Sequence, residues 1–128
     1  MECKCGIDMI EIERVKKALS GSVGDSFSKR VFTEREHEYC EGRGKGMYQS
    51  YAGRFAAKEA FAKAIGTGIG KDVRLNEVEI LNSESGNPYI TCSGVTGKML
   101  KERGITQIDV SITHIEEIAS AVVVLVMD

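Results

Sequence analysis

Tryptophan is missing from this chain of 128 residues, proline occurs once and histidine only twice. Four cysteines are present, Cys3, Cys5, Cys40 and Cys92, but none stands in a C-x-x-C pair. A Cys/His zinc cluster therefore has little to draw on, and reduced structural thiols in a cytoplasmic protein are expected. Strong net charge is also lacking. Seventeen basic residues against nineteen acidic ones leave a formal charge of −2, so no global positive field recommends nucleic acid as a partner. Nor is there a long apolar run. The longest, "ASAVVVLVM", is about half the length a membrane helix needs and reads as a buried strand. The N-terminal "MECKCGIDMIEIER" reaches charge before an apolar segment forms, so no secretory signal is expected.

What is present describes a soluble globular chain, 42% hydrophobic and 28% charged, long enough for one core and hence for a single domain over residues 1–128. "KCGID" reads as a short strand, with Cys3 and Cys5 pointing the same way. "MIEIERVKKALS" reads as a helix, with Asp8 at the junction as its N-cap and Glu11 at capping-box spacing. "GDSFSKRVF" is a short helix, and "TEREHEYCEG" another that starts from Thr33 with Glu36 at its third position. "EGRGKG" breaks it. A long helix follows from about Tyr48 to Ile65, then a strand "EVEILN", a turn "SESGNP" and a strand "YITC". Ser93 is placed to cap the helix "GVTGKMLKER", which Gly104 ends. "QIDVSITH" alternates Ile108, Val110 and Ile112 with polar residues, as a strand with one buried face does. After "IEEI" the apolar run supplies a last strand, expected at the centre of its sheet. Helices first and antiparallel strands later make an α+β fold, with the long helix packed on a small, mainly antiparallel sheet.

The long helix holds the residues with the most chemistry. Ala56, Ala57, Ala60 and Ala64 fall within about 100° of one another on a helical wheel and allow close approach to a neighbour. Glu59 and Lys63 are four apart, which suits an ion pair of about 0.3 kcal/mol. The glycines of "GTGIG" follow the helix, where carbonyls point outward and the dipole is negative. They are therefore no P-loop, and Gly66 suits a C-cap. A phosphate near this end needs Lys63, Arg54 or a metal to compensate. Asp8 has a structural use as a cap, His114 closes a strand, and Arg14, Lys16 and Lys17 form by default a solvated helix face.

Taken together and in order, "GIDMIEIERV", "GRFAAKEAFAKAIGTGIG", "GNPY" and "DVSITH…ASAVVV" resemble the holo-[acyl-carrier-protein] synthase family, the short single-domain type of 4′-phosphopantetheinyl transferase. The resemblance spans nearly the whole chain. It implies transfer of 4′-phosphopantetheine from coenzyme A to a serine of an apo acyl carrier protein in fatty acid biosynthesis. Adenosine 3′,5′-bisphosphate is released, and Mg²⁺ assists, with Mn²⁺ as an alternative ion. By the same resemblance Asp8 and Glu59 are metal ligands, Lys63 lies by the diphosphate, Arg54 and His114 match nucleotide- or phosphate-contacting positions, and Gly66 matches a close approach to coenzyme A. Arg14 matches the basic side chain that meets an acidic helix of the carrier protein, and Lys17 stands three residues further on the same helix. Short members of the family are trimers with the site between subunits, so a homotrimer is implied, with a neighbour's edge completing the coenzyme pocket. Two carboxylates suffice for Mg²⁺, which fills its octahedron with water and substrate phosphates. Two other readings use the same residues: a metal-dependent phosphohydrolase, and a catalytically silent coenzyme A-binding or assembly module.

Overall fold

The N-terminal strand runs on well past Asp8. In the computed structural model, which describes residues 1–128, β1 spans Glu2–Glu11 and the helix α1 only Ile12–Ser20. The expected helix over residues 9–11 is strand because those residues pair with the last strand, β5 (Ile118–Met127), in the register Met9↔Ser120, Ile10↔Ala119 and Glu11↔Ile118. The chain turns helical only where Ile12 N–H finds Glu117 O at 2.9 Å. Asp8 is thus no N-cap. Glu11 holds that position without a side-chain hydrogen bond.

The following elements are α2 (Gly24–Val31), α3 (Glu34–Glu41), α4 (Met47–Ile65), β2 (Val78–Asn82), β3 (Pro88–Cys92), α5 (Gly94–Glu102) and β4 (Ile105–His114). The "EGRGKG" break contains a single 3₁₀ turn at Gly44–Gly46. The strands form two antiparallel sheets, β1-β5-β4 and the hairpin β2-β3, so the expected single sheet is divided. β5 is central, as its continuous apolar run suggests. Thr33 and Glu36 close a full capping box on α3. Ser93 stands at the N-cap of α5 but makes no side-chain bond. Glu77 replaces it, accepting from Thr96 N–H at 3.0 Å and Val95 N–H at 3.3 Å.

Helix α4 is the axis of the molecule. Twelve of its nineteen residues are buried, so it has no broad solvent face. Ala56, Ala57, Ala60 and Ala64 pack with Val110, Ala121, Val123 and Leu125 of the three-stranded sheet. Tyr51 and Ala52 pack with Ile12, Val15, Val31 and Phe32 of the helical layer. No helix is long and apolar enough to cross a membrane. Cys40 is buried, whereas Cys3 and Cys5 lie exposed on the outward face of β1, which corrects their reading as structural thiols.

A fully buried ion pair sits where α4 meets the other elements. Lys58 Nζ donates to Glu36 Oε1 at 2.7 Å, to Val31 O at 2.6 Å and to Leu75 O at 2.8 Å. Glu36 also accepts from Thr33 N–H at 2.9 Å and Ile80 N–H at 2.8 Å. Both side chains are at 0% exposure. Burial pushes the Lys58 ammonium below its ordinary value, and the Glu36 carboxylate opposes that fall. Removing one partner strands the other as a buried charge, a loss of about 3–5 kcal/mol. Lys58→Met should lower stability in urea unfolding by about that much. Adding Glu36→Gln should restore part of it by removing the stranded charge, and a double variant less stable than the single one would refute this reading.

Candidate active site

The site begins with a glycine. Gly6 packs β1 against the alanine side of α4 so closely that a Cβ there would lie 2.0 Å from Ala60 O and 2.6 Å from Ala64 N. Two residues further along the strand, Asp8 shares the face of Gly6 and meets the C-terminal half of the helix. Asp8 Oδ1 accepts from Lys63 Nζ at 3.0 Å. Glu59 stands beside them. Its carboxyl is pushed up by burial and by the Asp8 charge, and drawn back by Lys63.

Asp8, Glu59 and Lys63 are therefore one cluster, built from two segments 51 or more residues apart in the chain. The expected Glu59–Lys63 ion pair along the helix is not formed. Lys63, 57% exposed, turns instead to Asp8, whose side chain is 17% exposed. Gly66 ends α4 at φ 90°, its N–H bonded to Ala62 O at 2.9 Å, so its role as C-cap holds. Glu59, Lys63 and Gly66, with Ala62, Gly68 and Ile69, line an open cavity of about 410 Å³.

Two acids with oxygen donors only, facing each other without a full counter-charge, fit a hard divalent cation better than a soft one. Burial is the larger cause of the upward push on Glu59 and the Asp8 charge the second, and a cation between the two acids would relieve the latter.

Arg54 and His114 line a different cavity, of about 260 Å³, with Tyr39, Arg43, Asn82 and Gly86. Arg54 is only 4% exposed. Its guanidinium lies 4.2 Å from the centre of the Tyr39 ring, donates to Ser50 Oγ at 3.1 Å and to Asn82 Oδ1 at 2.5 Å, and leaves Nε without a partner. Arg54 and Glu59 are five residues apart, which turns them about 140° from each other around α4. The two groups of site residues thus diverge within one chain. Arg14 and Lys17 stand on α1, exposed and paired with no acid. They lie on the helix that follows the strand of Asp8.

Sequence reasoning missed Arg43 and the buried Lys58–Glu36 pair. One signal for the latter was available: a lysine set among alanines of a core helix needs a buried partner.

A family model described as the 4′-phosphopantetheinyl transferase superfamily matches residues 4–123. The chain is 47% identical over 125 residues to a holo-[acyl-carrier-protein] synthase of Ruminiclostridium cellulolyticum, covering 98% of this chain and 92% of the relative. Among solved structures, a holo-[acyl-carrier-protein] synthase from Neisseria meningitidis superposes with a TM-score of 0.86 at 33% identity, over 95% of this chain and 96% of the other. One from Helicobacter pylori, in complex with coenzyme A, gives 0.83 at 32% identity, over 95% and 99%.

The Gly6 contact generates a direct expectation. Gly6→Ala should force β1 away from α4, cost about 1–3 kcal/mol and separate Asp8 from Lys63. Denaturant unfolding measures the first effect, and an unchanged midpoint would show that the close approach is not required.

Proposed function

This chain belongs to the 4′-phosphopantetheinyl transferase superfamily, and from that premise we propose that Asp8, Glu59 and Lys63 are the centre of its reaction. The reaction moves 4′-phosphopantetheine from coenzyme A to a serine of apo acyl carrier protein, a step that serves fatty acid biosynthesis. The carrying observation is the convergence of the two acids and the lysine on one open cavity.

The serine Oγ forms a bond to the β-phosphorus of the diphosphate as the bond to the bridging oxygen breaks, and adenosine 3′,5′-bisphosphate leaves. Asp8 and Glu59 would hold Mg²⁺, with Mn²⁺ as the alternative, and that ion supplies charge neutralisation on the diphosphate. Glu59, whose carboxyl is pushed up by burial and by the Asp8 charge, takes the serine proton on a carboxylate oxygen. Lys63, 57% exposed, is free to turn from Asp8 toward the leaving phosphate, where Nζ–H donates and neutralises developing charge. Gly66 leaves the cavity wall without a side chain, which permits close approach of coenzyme A.

Arg54 and His114, together with Arg43, offer positive and hydrogen-bonding groups to a second phosphate or nucleotide. Because they diverge from Glu59 on α4, one coenzyme molecule is best served by Glu59 and Lys63 of one protomer with Arg54 and His114 of its neighbour. A homotrimer built from single-domain chains over residues 1–128 provides this. The outward face of the sheet, with Ile7 and Met9 63% and 64% exposed beside Val122 and Val124, is apolar enough to be covered in such an assembly. Four unpaired thiols suit a cytoplasmic setting.

Mass spectrometry of an apo carrier protein, mixed with this chain, coenzyme A and Mg²⁺, reads transfer directly. Asp8→Ala and Glu59→Ala should each lose several kcal/mol of transition-state stabilisation, about a thousandfold in rate, with unfolding midpoints near the parent's. Near-normal turnover in both would remove the proposed centre.

Arg14 and Lys17 supply the docking charge for the acidic carrier protein on our reading. Exposed charges of this kind set encounter rate and specificity and are screened by salt. Arg14→Glu should raise the KM for carrier protein and flatten its salt dependence while leaving the KM for coenzyme A in place. The opposite pattern in steady-state kinetics would move the docking surface away from α1.

A further inference from the structure

A second constellation of chemical groups lies where the four N-terminal helices meet, and phosphopantetheine transfer makes no use of it. Ser28 Oγ is 2.7 Å from His37 Nε2, His37 Nδ1 is 2.8 Å from the Tyr51 hydroxyl, and the Tyr51 hydroxyl donates to Glu41 Oε2 at 2.5 Å. Ser28 comes from α2, His37 and Glu41 from α3, and Tyr51 from α4. These four residues line a cavity of about 310 Å³, closed further by Leu19, Gly24, Asp25, Met47 and Tyr48. The cavity shares no residue with either cavity described above.

The direction of the chain follows from proton counting. Tyr51 has one hydroxyl proton and gives it to Glu41. Burial and that carboxylate push the phenol well above its ordinary value, so it stays protonated. The Tyr51 oxygen therefore accepts, which makes His37 Nδ1 the N–H donor. In the neutral ring Nε2 is then bare, and the only group offered to it is the Ser28 hydroxyl, which donates. The Phe32 ring, its centre 5.8 Å from the imidazole centre and its plane at 72° to it, helps hold the ring's orientation. A serine aimed at the lone pair of a histidine, with that histidine oriented through its other nitrogen toward a carboxylate, is the arrangement that activates a serine nucleophile. Here a tyrosine hydroxyl stands between histidine and acid.

We propose that Ser28 is a nucleophilic serine, with His37 as its base and Tyr51–Glu41 as the orienting pair, that accepts a short acyl group from an activated ester or thioester. Ser28 Oγ bonds to the acyl carbon and its proton passes to His37 Nε2. The carbon–oxygen or carbon–sulfur bond then breaks, and the departing alcohol or thiol takes the proton back from Nε2. The products are a Ser28 acyl ester and the free alcohol or thiol. The cavity's volume is at the low end of ligand pockets, which selects a short acyl group. The relay supplies base and orientation, so one acylation per chain is the expected outcome rather than rapid turnover, which also needs donors for the oxyanion.

The test uses the full chain with p-nitrophenyl acetate. Nitrophenolate release should approach one equivalent per chain, and peptide mass mapping should place the acetyl group on Ser28. Ser28→Ala should lose the adduct yet still carry out phosphopantetheine transfer, which verifies that it is folded. His37→Gln should slow acetylation about a hundredfold, and Tyr51→Phe, which keeps the ring but cuts the relay, should slow it less. Acetyl groups on lysines alone, or equal Ser28 acetylation in the His37→Gln and Tyr51→Phe chains, would overturn the assignment.

Discussion

The buried contact of Lys58 with Glu36 sets everything else in place, because it fixes the rotation of the one helix that every other layer touches. Its three donor bonds tie α4 to the end of α2, to α3 and to the turn before β2. Glu36 carries the connection on to β2 through Ile80 N–H. On the other side of α4 the close approach of Gly6 leaves room for no side chain. A helix held this way on two faces has little freedom to turn. Glu59 follows Lys58 directly, so the geometry that satisfies the buried ammonium also places the adjacent carboxylate beside Asp8. Stability and site geometry rest on the same few contacts.

That arrangement explains why the candidate site residues fall in two groups. Around α4, Glu59 and Lys63 face β1 and the glycine run, while Arg54 faces Tyr39, Asn82 and the end of β4. A straight helix cannot bring positions five apart to one ligand. On the proposed roles, the diphosphate chemistry and the nucleotide contacts fall to separate cavities of one protomer, and a symmetric assembly is the economical way to join them. The exposed apolar face of the three-stranded sheet fits the same assembly.

Features set by local rules could be read from the sequence. The capping box of Thr33 and Glu36, the left-handed Gly66 after Ile65, the alternation of Ile108, Val110 and Ile112, and the alanine side of α4 all depend on residues a few positions apart. Features decided by distant partners could not. Residues 9–11 have a helical pattern but are held in β1 by residues Ile118–Ser120, more than a hundred positions away. Lys63 leaves the partner one turn away for Asp8, and Glu77 takes over the capping expected of Ser93. Glu36 was legible as part of a cap, but its larger task, holding Lys58, appears only once α3, α4 and β2 are packed together. The candidate site residues were named through the family's motifs, since their spacing alone equally suited caps and surface ion pairs.

The division of the site between neighbours is the claim on which the mechanism rests, and mixed assemblies test it directly. Glu59→Ala and His114→Ala chains, each expected to lose transfer alone, would be co-expressed and their phosphopantetheine transfer measured. A site shared between protomers predicts recovery to about a quarter of the parent rate, because one ordered neighbour pair in four then contains both intact halves. Activity no greater than the sum of the two separate variants would contradict it and place the whole site within a single chain.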